Sequence, residues 1–176
     1  LLDHPGIQLE LNCPAEKRLK LEEDGIQLDG EAFRGDVIYT GAVDELFGCR
    51  FGRLPYRTLD FQFETYPREW YQTRGTVNYT VDQDYTRITE FKHLTGQKLP
   101  DRTTIMKEYS RSYTGKSGET PYYAIINEEN NALYDRYRAL CDRYPNLHLL
   151  GRLAEYKYYN MDAIIARALE LCDRMV

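Results

Sequence analysis

The sequence predicts an α+β chain, with an antiparallel sheet in the middle and strand–helix pieces at both ends. Three observations carry this. Between Tyr56 and about Asn127, short runs alternate apolar and polar residues, are rich in Thr, Tyr, Ile and Phe, and are separated by Gly, Pro, Asp and Lys turns. Two later segments, Glu128 to Arg143 and Asn160 to Met175, repeat their apolar residues at helical spacing. At 176 residues, with 42 % hydrophobic and 29 % charged residues, the chain can bury a sizeable core.

Taken in order, Ile7, Leu9 and Leu11 alternate with polar residues and predict a first strand. Lys17 to Leu21 and Ile26 to Leu28 flank Glu23-Asp24-Gly25, the signature of a hairpin turn. Asp36 to Gly41 reads as a buried strand ending in a glycine, where a ligand can approach the backbone closely, and Ala42 to Phe47 as a short helical turn. Strands are predicted at Arg57 to Phe63, Thr76 to Val81, Thr86 to Leu94, Thr103 to Tyr113, Tyr122 to Asn127 and Asn146 to Arg152. The first helix carries Leu133, Tyr137 and Leu140 on one face. The second carries Ile164, Ala168, Leu171 and Met175, with Asn160 as its N-cap and Asp162 in its first turn. The end pieces need neighbours to cover their apolar faces, which a missing segment or an oligomer would supply.

Composition narrows the function. A net charge of −5 and a pI near 5.3 disfavour generic nucleic-acid binding. Cys13, Cys49, Cys141 and Cys172 show no CxxC or zinc spacing and read as free thiols of a reducing, cytoplasmic compartment. No membrane span or signal peptide is read. The chain begins at Leu1 without an initiator methionine, as a fragment, an engineered or a processed terminus would. Tyrosine dominates the aromatics, 16 against 6 Phe and 1 Trp, and suits both strands and wet ligand surfaces.

The run Gly151 to Asp162 sets Arg152, Tyr156, Tyr158, Tyr159 and the Asn160 cap on an expected strand-to-helix turn, a setting for a phosphate-bearing ligand. Tyr156 and Tyr158 would share one face if the strand continued that far. Arg87, after the acidic turn Asp82-Gln83-Asp84, either clamps a diphosphate or pairs with Asp82 or Asp84. Alternation places Glu108 and Ser110 on one strand face and Lys107, Tyr109 and Arg111 on the other. Glu108 is then a site carboxylate or the partner of a buried arginine. Pro121-Tyr122-Tyr123 reads as packing, and His4, His93 and His148 as packed or solvated. There is no side-chain nucleophile pattern, metal cluster, GxGxxG or Walker loop.

Seven motifs, in this order, resemble UDP-galactopyranose mutases: Tyr39-Thr40-Gly41, Phe51 to Phe61, Asn78-Tyr79-Thr80, Tyr85 to Glu90, Lys107 to Ser110, Pro121-Tyr122-Tyr123, and Gly151 through Asp162. The resemblance runs from about Ile7 to the end. It implies the C-terminal half of a flavoenzyme that interconverts UDP-galactopyranose and UDP-galactofuranose through a reduced-flavin N5–sugar adduct, for galactofuranose glycan biosynthesis. The implied fold is an antiparallel substrate-binding sheet (51–127) plus the C-terminal strands and helices of an incomplete FAD-binding α/β domain (1–50 and 128–176). Matched residue by residue, Arg87 is implied as the diphosphate arginine, Tyr123 and Tyr158 as diphosphate-bonding tyrosines, and Glu108 as a carboxylate near the sugar. Arg152 is implied at the flavin, Arg57 as a further site arginine, Gly41 as a close approach to the cofactor, and Asn160 and Met161 as contacts to substrate or FAD. Several bacterial relatives carry aspartate where this chain has Asn160; the amide keeps the cap and removes a charge. Partners implied are the UDP-sugar, the N-terminal half of the enzyme and a second copy in a full-length homo-oligomer. The fragment alone is expected to be inactive. The competing reading is a noncatalytic β-rich module that recognises glycans or a protein. The Cys13 to Phe33 hairpin is read as a surface elaboration.

Overall fold

The computed structural model of the chain describes residues 2–175. The first half contains α1 (Ala15–Arg18), β1 (Leu19–Glu22), β2 (Gly25–Leu28), β3 (Glu31–Phe33), β4 (Val37–Tyr39), α2 (Val43–Leu46), β5 (Tyr56–Tyr66) and β6 (Thr76–Asn78). Then follow β7 (Arg87–Glu90), α3 (Phe91–Thr95), β8 (Thr103–Ser112), β9 (Tyr123–Ala124), α4 (Glu128–Cys141), β10 (Leu147–Leu149) and α5 (Met161–Met175). The architecture is α+β with antiparallel sheets, as the sequence predicts. Two compact units form. One, the split unit, joins Leu1–Leu54 to Ile126–Val176; the other, the continuous unit, is Pro55–Ile125.

The continuous unit is a five-stranded antiparallel sheet in the order β6-β7-β8-β5-β9. Its long pair, β5 and β8, runs in unbroken register from Arg57↔Ser112 to Tyr66↔Thr103. Successive side chains alternate between faces. One face takes Tyr56, Thr58, Ile88, Glu90, Thr103 and Ile105, all buried. Glu90 is fully buried, and burial pushes its carboxyl up. Hydrogen bonds from Thr103 Oγ1 (2.5 Å) and the Tyr71 and Gln72 N–H groups (2.9 Å each) outweigh that and hold it below the ordinary range. Lys92, also buried, donates to the carbonyls of Glu69 (2.7 Å), Arg102 (3.0 Å) and Leu99.

In the split unit β4 and β10 pair in parallel, and β1-β2-β3 form a small antiparallel sheet. Asn127 caps α4 by accepting the Asn130 N–H at 2.8 Å. Tyr137, on α4, is fully buried. Its hydroxyl donates to the Gly52 carbonyl (2.6 Å) and accepts the Phe51 N–H (2.9 Å), and its ring meets Phe51 at 5.1 Å. Asp44 Oδ2 accepts the Leu54 N–H at 3.0 Å, closing the same loop.

Several expectations are corrected. Residues 7–11 form no strand: no strand pairs with them, and Ile7, Leu9 and Leu11 stay exposed. The strand predicted for Thr86 to Leu94 ends at Glu90 and turns into α3, which Gly96 stops in the left-handed region (φ 69°) with its N–H on the Lys92 carbonyl. The Thr76 to Val81 strand is cut to three residues, because residues 80–85 make the turn that Tyr79 N–H closes on the Thr86 carbonyl at 2.9 Å. Tyr122 to Asn127 shrinks to β9, and Asn146 to Arg152 to β10. Residues 151–156 are turns, so Tyr156 and Tyr158 share no strand face; Tyr156 sits at φ 46°. No helix is long and apolar enough to cross a membrane among the described residues.

Two outcomes follow from this packing. Tyr137→Phe leaves the Phe51 N–H and Gly52 C=O unpaired and lowers stability by about 1–3 kcal/mol in chemical denaturation. Glu119 takes bonds from Arg111 (2.6 Å) and from Thr114 N–H (2.8 Å), and its carboxyl titrates at about 2 rather than 4.5. A depressed acid stabilises the fold above its unfolded pKa, so this contribution is complete above 4.5 and fades as pH falls toward 2. Carboxyl-carbon NMR of Glu119 should titrate in that low window, and move up toward the ordinary value in Arg111→Ala while Thr114 and Lys116 still hold it down.

Candidate functional site

The register of the continuous unit assembles the candidate site. Asn78 on β6 lies opposite Arg87 on β7, Arg87 opposite Glu108 on β8, and Glu108 opposite Phe61 on β5. Arg57 lies opposite Tyr123 on β9. Directly paired residues share a face, so these side chains stand on the side opposite Ile88 and Ile105.

Arg87, Glu108, Tyr123 and Asn78 line one cleft of about 460 Å³, together with Leu59 and Ser110. Arg87 donates Nε–H to Asn78 Oδ1 at 2.8 Å. Its Nη1 stands 3.7 Å from Glu108 Oε1, within ion-pair range but beyond a good hydrogen bond. Arg87 is therefore held by a neutral amide rather than saturated by a carboxylate. A guanidinium has five N–H donors, so most remain for an anion. The side chain is 39 % exposed, while Glu108 is 10 % exposed at the cleft floor. Arg87 pairs with neither Asp82 nor Asp84, and Glu108 is both its partner and a cleft carboxylate.

The opposite face shows the contrast. Arg111 binds Asp60 through Nε (2.7 Å) and Nη2 (3.0 Å) and Glu119 through Nη1. Lys107 holds Glu64 at 2.7 Å. These cations are neutralised in place.

The other predicted residues belong to the split unit, apart from Arg57, which is exposed on β5 beside Tyr123 and outside the cleft lining. Gly41 and Gly151-Arg152 follow the carboxyl ends of the parallel strands β4 and β10, where ligands of open parallel sheets bind. Arg152 donates Nε–H to the Tyr159 carbonyl at 2.8 Å and lies over the Tyr158 ring at 4.6 Å. Tyr158 is exposed. Asn160 immediately precedes α5, and its carbonyl accepts the first helical bond, from Ile164 N–H at 3.0 Å. Met161 opens the helix, exposed. Above Gly41 a Cβ would come 2.5 Å from the Tyr39 hydroxyl, so the room there is taken by this chain's own phenol. For a flavin nucleotide the fit is partial: an arginine over a phenol ring and the start of a fifteen-residue helix are present, while the chain has no GxGxxG turn to cradle a pyrophosphate. Among the described residues no group of His, Cys, Asp or Glu could hold a metal ion.

Sequence reasoning missed Asn78 as the residue that orients Arg87. The alternation of two paired strands carried the signal, but reading it required the register.

These features define an α+β chain with an arginine-bearing cleft on an antiparallel sheet. The sequence profile of the family described as "GLF: UDP-galactopyranose mutase" matches residues 1–158. A UDP-galactopyranose mutase of Mycoplasma pneumoniae is 36 % identical over all of this chain and 45 % of its own length. A probable UDP-galactopyranose mutase of Klebsiella pneumoniae is 38 % identical over all of this chain and 42 % of its own. A dTDP-fucopyranose mutase of Escherichia coli is 34 % identical over 97 % of this chain and 44 % of its own. The chain belongs to the UDP-galactopyranose mutase family, and it spans less than half the length of these relatives.

If the cleft receives anions, Arg87→Ala lowers affinity for UDP at least tenfold in calorimetry, the loss of one charge-assisted bond, while Arg111→Ala stays within about twofold. Equal losses would remove Arg87 from the site.

Proposed function

We propose that this chain is the diphosphate-gripping part of a UDP-galactopyranose mutase that, as a whole enzyme, interconverts UDP-galactopyranose and UDP-galactofuranose for galactofuranose glycan biosynthesis. One observation carries the reading: Arg87, oriented by Asn78 and left with unspent donors, faces a cleft shared with Glu108 and Tyr123. The relatives' names share a nucleoside diphosphate joined to a pyranose, and that diphosphate is the group such a cleft suits.

Arg87 and Tyr123 hold the diphosphate, by bonds worth about 1.5–3 kcal/mol each where the arginine takes part. Holding the released UDP in place makes its recapture of the rearranged sugar an intramolecular step. Glu108 lies beside Arg87 and balances its charge when the cleft is empty. Reduced FAD, when bound, supplies the nucleophile for the anomeric carbon. Arg152, Asn160 and Met161 of the split unit are the residues that would hold it. Asn160 does so as an amide, without the charge an aspartate would bring.

The chain by itself turns over no sugar nucleotide and retains FAD weakly or not at all, because its GxGxxG-free sequence lacks the pyrophosphate turn. Incubation with FAD followed by desalting should leave the protein colourless; a stoichiometric yellow complex would overturn this. Calorimetry should show UDP and UDP-galactose binding and a plain oligosaccharide not. The reverse pattern would favour a glycan-binding module.

A further inference from the structure

A second cavity, of about 260 Å³, is built wholly from the split unit. Tyr134 and Arg138 enter it from α4, one helical turn apart on the same face. Arg167, Leu171 and Arg174 enter from α5 at i, i+4 and i+7, again one face. Leu147 and Leu149 of β10 are buried beside them and form an apolar floor. Three guanidinium groups and one carboxylate, Glu155, line the cavity, an excess of positive charge in a chain of net charge −5.

The donors there are only partly used. Arg167 gives Nε–H to Glu155 Oε1 at 3.0 Å. Arg138 gives one Nη1–H to Asp142, an exposed pair at 2.8 Å, and His148 faces Asp36 at 2.9 Å. Arg174 makes no hydrogen bond or ion pair, and the Tyr134 hydroxyl no hydrogen bond, with any described residue. Burial pushes the Tyr134 phenol up to about 12, so it keeps its proton as a donor. Arg138 and Arg174 are exposed at the rim, Arg167 and Tyr134 half-buried, so guanidiniums with unspent donors stand over an apolar floor where charge-assisted bonds to an anion can form.

We propose that this cavity is a second anion site, between α4 and α5, that takes a phosphate group on Arg138, Arg174, Arg167 and the Tyr134 hydroxyl. Its volume is below the roughly 300–1,000 Å³ of pockets for drug-sized ligands, so the ligand is small: inorganic phosphate or a small phosphorylated compound. Glu155 ties the site to the Arg152 loop, since its Oε2 accepts the Gly151 N–H at 3.0 Å while its Oε1 holds Arg167. The proposal does not rest on the mutase reading, whose cleft is built from other residues.

NMR titration of the intact chain with sodium phosphate, and in parallel with a hexose 1-phosphate, tests it. Saturable shifts are expected at the Arg138 and Arg174 side chains and the Tyr134 ring. Arg174→Ala should weaken that binding about tenfold and Arg138→Gln comparably, while Arg87→Ala leaves it unchanged. Tighter binding of the hexose phosphate would identify a phosphorylated compound, and equal binding phosphate itself. Shifts that never saturate, or that survive both variants unchanged, overturn the site. Loss of the whole response in Arg87→Ala also overturns it, while leaving the sheet cleft intact.

Discussion

The β5–β8 register governs the rest of the candidate site. Ten consecutive pairs lock the two longest strands, and every neighbour inherits its facing from them. Sheet alternation has a period of two, so a slip of one residue would send Glu108 to the Ile105 face and bring Lys107 to the cleft. Buried Thr58, Thr103 and Ile105 make such a slip costly, because they too would change sides. The apolar layer therefore fixes the polar one: packing on one face decides which charges meet on the other.

The sheet treats its charges in two ways. On one face Arg111 and Lys107 are matched to carboxylates at hydrogen-bond distance, which leaves them little to offer a ligand. On the other, Arg87 leans on an amide and keeps a longer contact with Glu108. The difference is one of partner chemistry rather than of exposure, since Arg87 and Arg111 are 39 % and 41 % exposed. An arginine already forked to a carboxylate must break strong bonds to take a phosphate; one held by a neutral acceptor need not.

In the split unit the segments from the two ends of the sequence meet through the parallel pairing of β4 with β10, short and three residues long. Parallel strands usually lie inside larger, covered sheets. The exposed Ile38 on β4, the exposed stripe Met161, Ile165 and Leu169 on α5, and the unpaired strand-like run from Ile7 to Leu11 are all apolar surface of the kind that neighbours cover. The chain's span of less than half its relatives' length agrees with that.

The sequence by itself determined the α+β class, the alternating middle, the two long helices, the facing of Glu108 against Lys107 and the family, because periodicity and local motifs are written in neighbouring residues. It also placed the two long helices nearly whole, reading Glu128 to Arg143 for Glu128–Cys141 and Asn160 to Met175 for Met161–Met175. Only the tertiary structure decided what depends on distant partners. Residues 7–11 have a strand's pattern but nothing to pair with, and the run after Glu90 has a strand's composition but is drawn into α3 where Lys92 gathers three loop carbonyls. Asn78, not Asp82 or Asp84, holds Arg87, since pairing across β6 and β7 outweighs nearness in sequence. Local order follows from adjacent residues; a site follows from register, and register is settled only when the whole sheet has buried its apolar face.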